Sequence, residues 1–186
     1  SNAISLTHFS DILRVNLIMN QGGMWLDSTI FCHEDIQHEW FEKPFYTVHR
    51  ENNFPIGGGK WTVFDIAGYK NSITYQFIND IFMCYMKSHS RFPHYFFFDE
   101  CFLYGYTFIP IIRRYIDDVP LTVNYVSEMF YSLNKPYNKE EYDKITEFSY
   151  FSKLSYKKPL PDEVSGKITM YKYLKDIAYN YNYNKK

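Results

Sequence analysis

The stretch THFSDILRVNLIMNQGGMWLDSTIF, residues 7–31, decides how this chain is read. Residues 7–20 have the marks of a helix: Thr7 or Ser10 can cap it, Phe9, Ile12, Leu13, Leu17 and Ile18 recur at helical spacing on one wide face, and Gly22-Gly23 ends it. A strand is expected from Met24 to Cys32, with Trp25, Asp27 and Thr29 on one side and Leu26, Ser28 and Ile30 on the other. Aspartate is depleted in strands, so Asp27 after Met-Trp-Leu calls for hydrogen bonds, a cation, or a place at the strand's C-terminal end, where α/β sheets bind ligands. A turn in which its carboxylate accepts from the Thr29 or Ile30 amide is the plainer alternative.

Asp11 and Arg14 stand three apart and share a helix face. An exposed pair of this kind is worth only ~0.2–0.5 kcal/mol. The surrounding face is apolar, however, and charges are seldom buried without partners.

Further along, strands are expected in PFYTVHR (44–50) and WTVFDIAG (61–68), on either side of the glycine-rich NNFPIGGGK (52–60). A helix from Asn71 to about His89 would bury Ile73, Phe77, Ile81, Cys84 and Tyr85, and two more follow over 95–106 and 110–118, the last ended by Pro120. NKEEYDKITEF reads as a short charged helix, SKLSYK (152–157) as a strand or extended arm, and the final segment as a helix with Ile168, Tyr171, Leu174 and Ile177 or Ala178 on one side. Strands in front with helices behind give an α/β class.

Ser1-Asn2-Ala3 has the look of a cleaved expression tag, and the rest, about 180 residues, fits one domain. Tyr and Phe, 19 and 17 residues, suit a site for sugar or planar rings, but a general bias toward Tyr, Asn, Lys and Ile accounts for them more simply. A net charge of −1 gives no electrostatic reason to expect nucleic acid. Cys32, Cys84 and Cys101 are scattered and odd in number, which fits a reducing compartment better than a disulfide framework or a structural zinc. No apolar run reaches the ~18–20 residues of a membrane span. The segment 157–186 carries seven Lys against three acids, a solvated face or a weak attraction to an anionic membrane.

Taken in order, Ser10-Asp11-Ile12-Leu13-Arg14, Gly22-Gly23 and Trp25-Leu26-Asp27 resemble the sugar-binding block of glycosyltransferase family 32 and the related capsular polysaccharide synthesis proteins. The resemblance is expected to cover residues 7–158, as a GT-A-like domain over 4–158, with 159–186 as a basic, Tyr-rich tail or helix. It implies a GT-A nucleotide-sugar transferase with a mixed sheet flanked by helices. In that frame Ser10, Asp11, Arg14, Gly23, Trp25 and Thr29 face the donor, a carboxylate and a guanidinium fork together reading several hydroxyls. Asp27 takes the first place of a DxD motif, holding Mn²⁺ or Mg²⁺ against the diphosphate. Apart from that frame, Asp99-Glu100 after Phe96-Phe97-Phe98 is a candidate polar group near the acceptor or leaving group, with a helix turn carrying one solvated acid as the equal alternative.

Two departures from the pattern matter. Thr29 occupies the third position of the motif, removing one hard oxygen anion and weakening the metal site. The strand-helix-strand unit that cradles the base in the family would precede residue 7, so the chain is expected to hold only the sugar-facing half of a donor site, to fold, to self-associate and to transfer little alone. The implied role is transfer of a sugar from a nucleotide-sugar donor to a glycan or lipid-linked acceptor, in the cytoplasm or at the inner face of the membrane. The alternative is a degenerate, non-catalytic transferase-like domain that binds carbohydrate or a protein. A glycoside hydrolase finds no second acid to pair with Asp27. A phosphate cradle at Gly57-Gly58-Gly59-Lys60 lacks the P-loop spacing and reads as a hairpin loop.

Overall fold

The computed structural model describes residues 4–49, 55–120, 128–147, 149–155 and 159–184. In chain order these form α1 (Leu6–Gln21), β1 (Gly23–Leu26), β2 (Ile30–Cys32), β3 (Tyr46–Thr47), β4 (Asp65–Gly68), α2 (Ile73–Met86), α3 (Phe97–Phe108), α4 (Pro110–Asp117), α5 (Glu128–Ser132), α6 (Lys139–Thr146), β5 (Phe151–Lys153), β6 (Glu163–Val164), β7 (Lys167–Ile168) and α7 (Met170–Asn184), with 3-10 turns at His38–Phe41 and Gly57–Gly59. The chain is α/β, and every strand pair among the described residues is antiparallel. It divides into two compact units, Ser1–Asp27 with Gln37–Thr122, and Ser28–Ile36 with Val123–Lys186.

The first unit is built on the sheet β1-β4-β3. β4 lies in the middle and is buried along its whole length, with Leu26 opposite Asp65 and Trp25 opposite Ile66. Phe45, Trp61, Tyr75, Phe82, Phe98 and Phe102 fill the space between sheet and helices, each under 2% exposed or close to it. These rings remove large apolar areas from water, the main favourable term in folding.

Ser5, rather than Thr7 or Ser10, caps α1, its hydroxyl accepting from the His8 amide at 3.2 Å. The helix stops at Gly22, whose φ is +73° and whose N–H donates to the Ile18 carbonyl at 2.8 Å. A Cβ at Gly22 would lie 2.9 Å from the Lys70 nitrogen, so both the left-handed backbone and the close approach require glycine.

The buried faces of the first two helices differ from the expected ones. α1 turns Asp11, Arg14, Val15 and Ile18 inward and leaves Leu6, Phe9, Leu13 and Leu17 in solvent. α2 buries Thr74, Tyr75, Ile78 and Phe82, while Ile73 and Cys84 are exposed. Both helices carry apolar residues nearly all round, and periodicity then cannot select the core side.

The strand expected over 24–32 is broken in two. β1 ends at Leu26, the Asp27 amide donates to the Phe64 carbonyl at 2.9 Å, and a turn at Ser28-Thr29 precedes β2. β2 pairs with β5 in the second unit, Ile30 opposite Lys153. That unit packs around Met129, Leu133, Ile145, Met170 and Leu174, with Phe31, Tyr137, Tyr142 and Tyr173 against them. Ile168, expected on the last helix, lies instead on β7 and is 40% exposed. The β6–β7 hairpin turns through Ser165 and Gly166, both with positive φ, as a two-residue primed turn demands.

Candidate functional site

The block that decides the reading of the sequence closes around one guanidinium. Arg14, 5% exposed, donates through Nε to the Ser10 carbonyl at 3.2 Å, through Nη2 to the Ser10 hydroxyl at 2.9 Å, and through Nη1 to the Val63 carbonyl. The same Nη2 lies 3.3 Å from Asp11 Oδ1 and 3.5 Å from Asp27 Oδ1. Its planar group sits over the Trp25 ring at 5.2 Å and the Phe98 ring at 5.8 Å. A fork of fixed donors held against two aromatic rings is the geometry at which Arg and Lys are not interchangeable.

Asp27 is the solvent-facing member of this group, with 28% of its side chain exposed against 6% for Asp11 and Arg14. Its Oδ1 accepts from the Trp25 indole N–H at 3.0 Å, which orients the carboxylate at the end of β1. Alternation in the strand places Trp25 and Asp27 on one side, as expected, and the hydrogen bond between them follows from that register.

Asp99, on α3, is 6% exposed, and its charge is felt at Asp11 together with that of Asp27. Burial pushes the Asp11 carboxyl up to about 6; Arg14 opposes the shift, and Asp99 and Asp27 add to it. Three carboxylates and one guanidinium thus share a small, mostly dry region. An acid shifted toward neutrality by burial among other acids is the kind of group found at functional sites. Glu100, next to Asp99, faces water and contacts His94 at 3.1 Å.

The remaining candidates lie elsewhere. Gly23 begins β1 opposite Gly68, at the far end of the strand from Asp27. Thr29 belongs to the second unit, where its carbonyl accepts from the Leu154 amide at 2.7 Å. Gly57–Gly59 forms a 3-10 turn in which Gly57, φ +71°, is covered by the Trp61 ring, and Lys60 pairs with Asp117 at 2.9 Å; residues 52–54 of the predicted loop fall outside the described residues. Sequence reasoning missed Phe98 and the Val63 carbonyl. Neither carries a motif, and both reach Arg14 only through tertiary packing.

Among the described residues no three His, Cys, Asp or Glu side chains converge so as to hold a metal by themselves. Asp27 offers one carboxylate, one oxygen of which already meets Arg14 and Trp25. Such a donor set suits an ion completed by diphosphate oxygens and water, and it does not make a cage. No helix among the described residues is long and apolar enough to cross a membrane. Cys32, Cys84 and Cys101 are free thiols, and burial pushes Cys101, the buried one, up to about 12.

Comparison with known proteins agrees with the block. No curated protein and no solved structure matches the chain. The family model described as capsular polysaccharide synthesis protein matches residues 1–174, past the expected limit at 158 and into α7. The chain belongs to the capsular polysaccharide synthesis protein family.

Proposed function

We propose that the chain acts in capsular polysaccharide synthesis as a glycosyltransferase of GT-A type, moving a sugar from a nucleotide-sugar donor to a glycan or lipid-linked acceptor. The observation that carries this reading is the Arg14-centred cluster, which joins two of the three parts of the block, Ser10 to Arg14 and Trp25 with Asp27, and whose Asp11 feels the charge of Asp99. In the reaction the bond from the sugar's anomeric carbon to the diphosphate breaks and a bond from that carbon to an acceptor hydroxyl forms. The acceptor proton leaves, and negative charge gathers on the diphosphate.

Exposure divides the roles. Asp27 and the half-buried Trp25 form the surface that meets the donor, the ring offering an apolar face to a sugar and the carboxylate accepting from its hydroxyls. Behind them Arg14, paired also with Asp11, holds Asp27 in place, and both offer hydroxyl contacts at their edges. Asp99, buried on α3 and near enough for its charge to reach Asp11, is the candidate for proton handling. A divalent ion, when bound, would neutralise the leaving diphosphate and take one ligand from Asp27. Mn²⁺ alone should therefore bind weakly, and more tightly with a nucleoside diphosphate present. Tight calorimetric binding of Mn²⁺ alone, abolished in Asp27→Asn, would show that the ligand count is wrong.

The test of the activity is turnover across a panel of nucleotide sugars with Mn²⁺ present. Asp27→Asn keeps the shape of the side chain and should lower turnover about 10²–10³-fold, the loss typical of a group acting on developing charge. Unchanged turnover in that variant would remove Asp27 from the mechanism. The burial of Asp11 and Arg14 favours a second reading, a transferase-like domain that binds sugar without reacting. Donor binding by the wild-type chain with no turnover of any donor would select it.

A further inference from the structure

Within the first unit, the segment between α2 and α3 makes two adjoining clefts that the cluster around Arg14 does not use. One, of about 650 Å³, is lined by Arg91, His8, His94, Ser88 and Ser90 over Phe92 and Pro93. The other, of about 510 Å³, is lined chiefly by Ile81, Cys84, Phe97, Cys101 and Tyr104. Tyr85, Ser88 and His89 line both, so the clefts share a wall. In that wall the His89 ring stacks on Tyr85 at 4.1 Å and 12°, with its Nδ1 3.0 Å from the Tyr85 carbonyl.

The two hollows differ in chemistry, the first mixed in its lining and the second mainly apolar. From Asp80 to Asp99 the sequence contains no acid between these two, but it carries Lys87, His89, Arg91 and His94. The exposed Arg91 guanidinium has no ion-pair or hydrogen-bond partner among the described residues. His8 is held by the His94 carbonyl at 3.1 Å, His94 by Glu100 at 3.1 Å, and the Ser88 hydroxyl lies 3.0 Å from His89 Nδ1, so Arg91 is the charge left for a ligand, with Ser90 as a hydroxyl donor. Glu100 also lines the apolar cleft, where its charge is met by His94. Both volumes lie in the ~300–1,000 Å³ range of small-molecule sites.

We propose that the paired clefts bind one amphiphile, a phosphate carried on a long aliphatic chain, with the phosphate on Arg91 and the chain laid past the Tyr85–His89 wall between Ile81, Cys84, Phe97 and Tyr104. Guanidinium and hydroxyl groups suit phosphate, and the neighbouring hollow supplies apolar surface that a free anion would leave unused. Under the transferase reading this ligand is the carrier of a lipid-linked acceptor, a step that rests on that reading. The binding itself does not, because it is measured without turnover.

The test uses the whole chain and three probes in calorimetry: decyl phosphate below its micelle threshold, inorganic phosphate, and decanol. Decyl phosphate should bind at least about tenfold more tightly than either of the others. Arg91→Ala should erase most of that advantage with Arg91→Lys restoring part of it, and Cys84→Trp, at an exposed helix position, should lower decyl phosphate affinity about tenfold while leaving inorganic phosphate unchanged. Equal affinity for the three probes, or decyl phosphate binding untouched by Arg91→Ala and Cys84→Trp, would overturn the proposal. Capture of the chain by phosphatidic acid vesicles with no binding of the monomeric probe would also overturn it, making the region a membrane-facing patch.

Discussion

Arg14 shows how a buried charge is made tolerable. Its guanidinium spends donors on Ser10 and Val63, lies against the Trp25 and Phe98 rings, and is within 3.5 Å of Asp11 and Asp27 oxygens. Burial pushes the carboxyl of Asp11, the most buried of the three acids, up to about 6; Arg14 opposes the shift, and the charges of Asp99 and Asp27 add to it. The shift has a sign that can be checked. A carboxyl with a folded pKa above its unfolded value contributes stability that is present below about pH 4 and lost as pH rises through about 6. Asp11→Asn should therefore flatten the stability profile between pH 4 and 7 and leave the chain about 1–2 kcal/mol more stable at pH 8, relative to wild type. Urea unfolding at pH 5 and pH 8 measures this. A variant equally destabilised at both would mean that the Asp11–Arg14 contact outweighs the desolvation of the acid.

At the scale of elements, the two units contain opposite titrations. His33 follows β2, its Nε2 2.7 Å from the Ser152 hydroxyl and its Nδ1 3.4 Å from the Tyr142 hydroxyl. Burial lowers it to about 4. A histidine held neutral in the folded state contributes stability above its unfolded value of about 6.5 that is lost as pH falls toward 4. Amide protection in β2 and β5, relative to the intrinsic exchange rate at each pH, should fall as pH is lowered from 7 to 5 by an amount equivalent to about 1–2 kcal/mol, and His33→Gln should remove that loss. Protection that is unchanged across that range in the wild-type chain would refute the assignment.

Element existence was legible in the sequence where spacing and stop signals agreed: α1 with Gly22, α4 with Pro110, α6 with Asn138. Which face each helix buries was not. Of the expected α1 stripe of Phe9, Ile12, Leu13, Leu17 and Ile18, only Ile18 is buried, and Phe9, Leu13 and Leu17 face water, because the side that packs on the sheet is the one carrying the neutralised pair Asp11 and Arg14. Pattern reasoning scores a charge as outside, and only the three-dimensional partners, Val63, Asp27 and the two rings, reverse that. The site was half legible for a similar reason. Ser10, Asp11, Arg14, Trp25 and Asp27 are close in sequence and meet in space, whereas Phe98 and Asp99 come from a helix some seventy residues later. Thr29 is two residues from Asp27 in sequence but belongs to the other unit, because the strand breaks at Ser28.

For the molecule as a whole, family membership extends through residue 174 and so takes in both units, including Met170 and Leu174 of the second core. The second unit is thus part of what the family shares, and the basic tail is partly a packed helix, with Lys172 and Lys175 paired to Asp176 and Asp162. The central claim remains that Asp27, oriented by Arg14 and Trp25, faces the sugar of a nucleotide-sugar donor. Saturation-transfer NMR on the chain with a panel of nucleotide sugars and Mn²⁺ tests it most directly. The account predicts transfer to the hexose protons of at least one donor, reduced at least about tenfold in Asp27→Asn while the amide spectrum shows the fold intact. Transfer confined to the base, or hexose transfer of equal strength in Asp27→Asn, would contradict it.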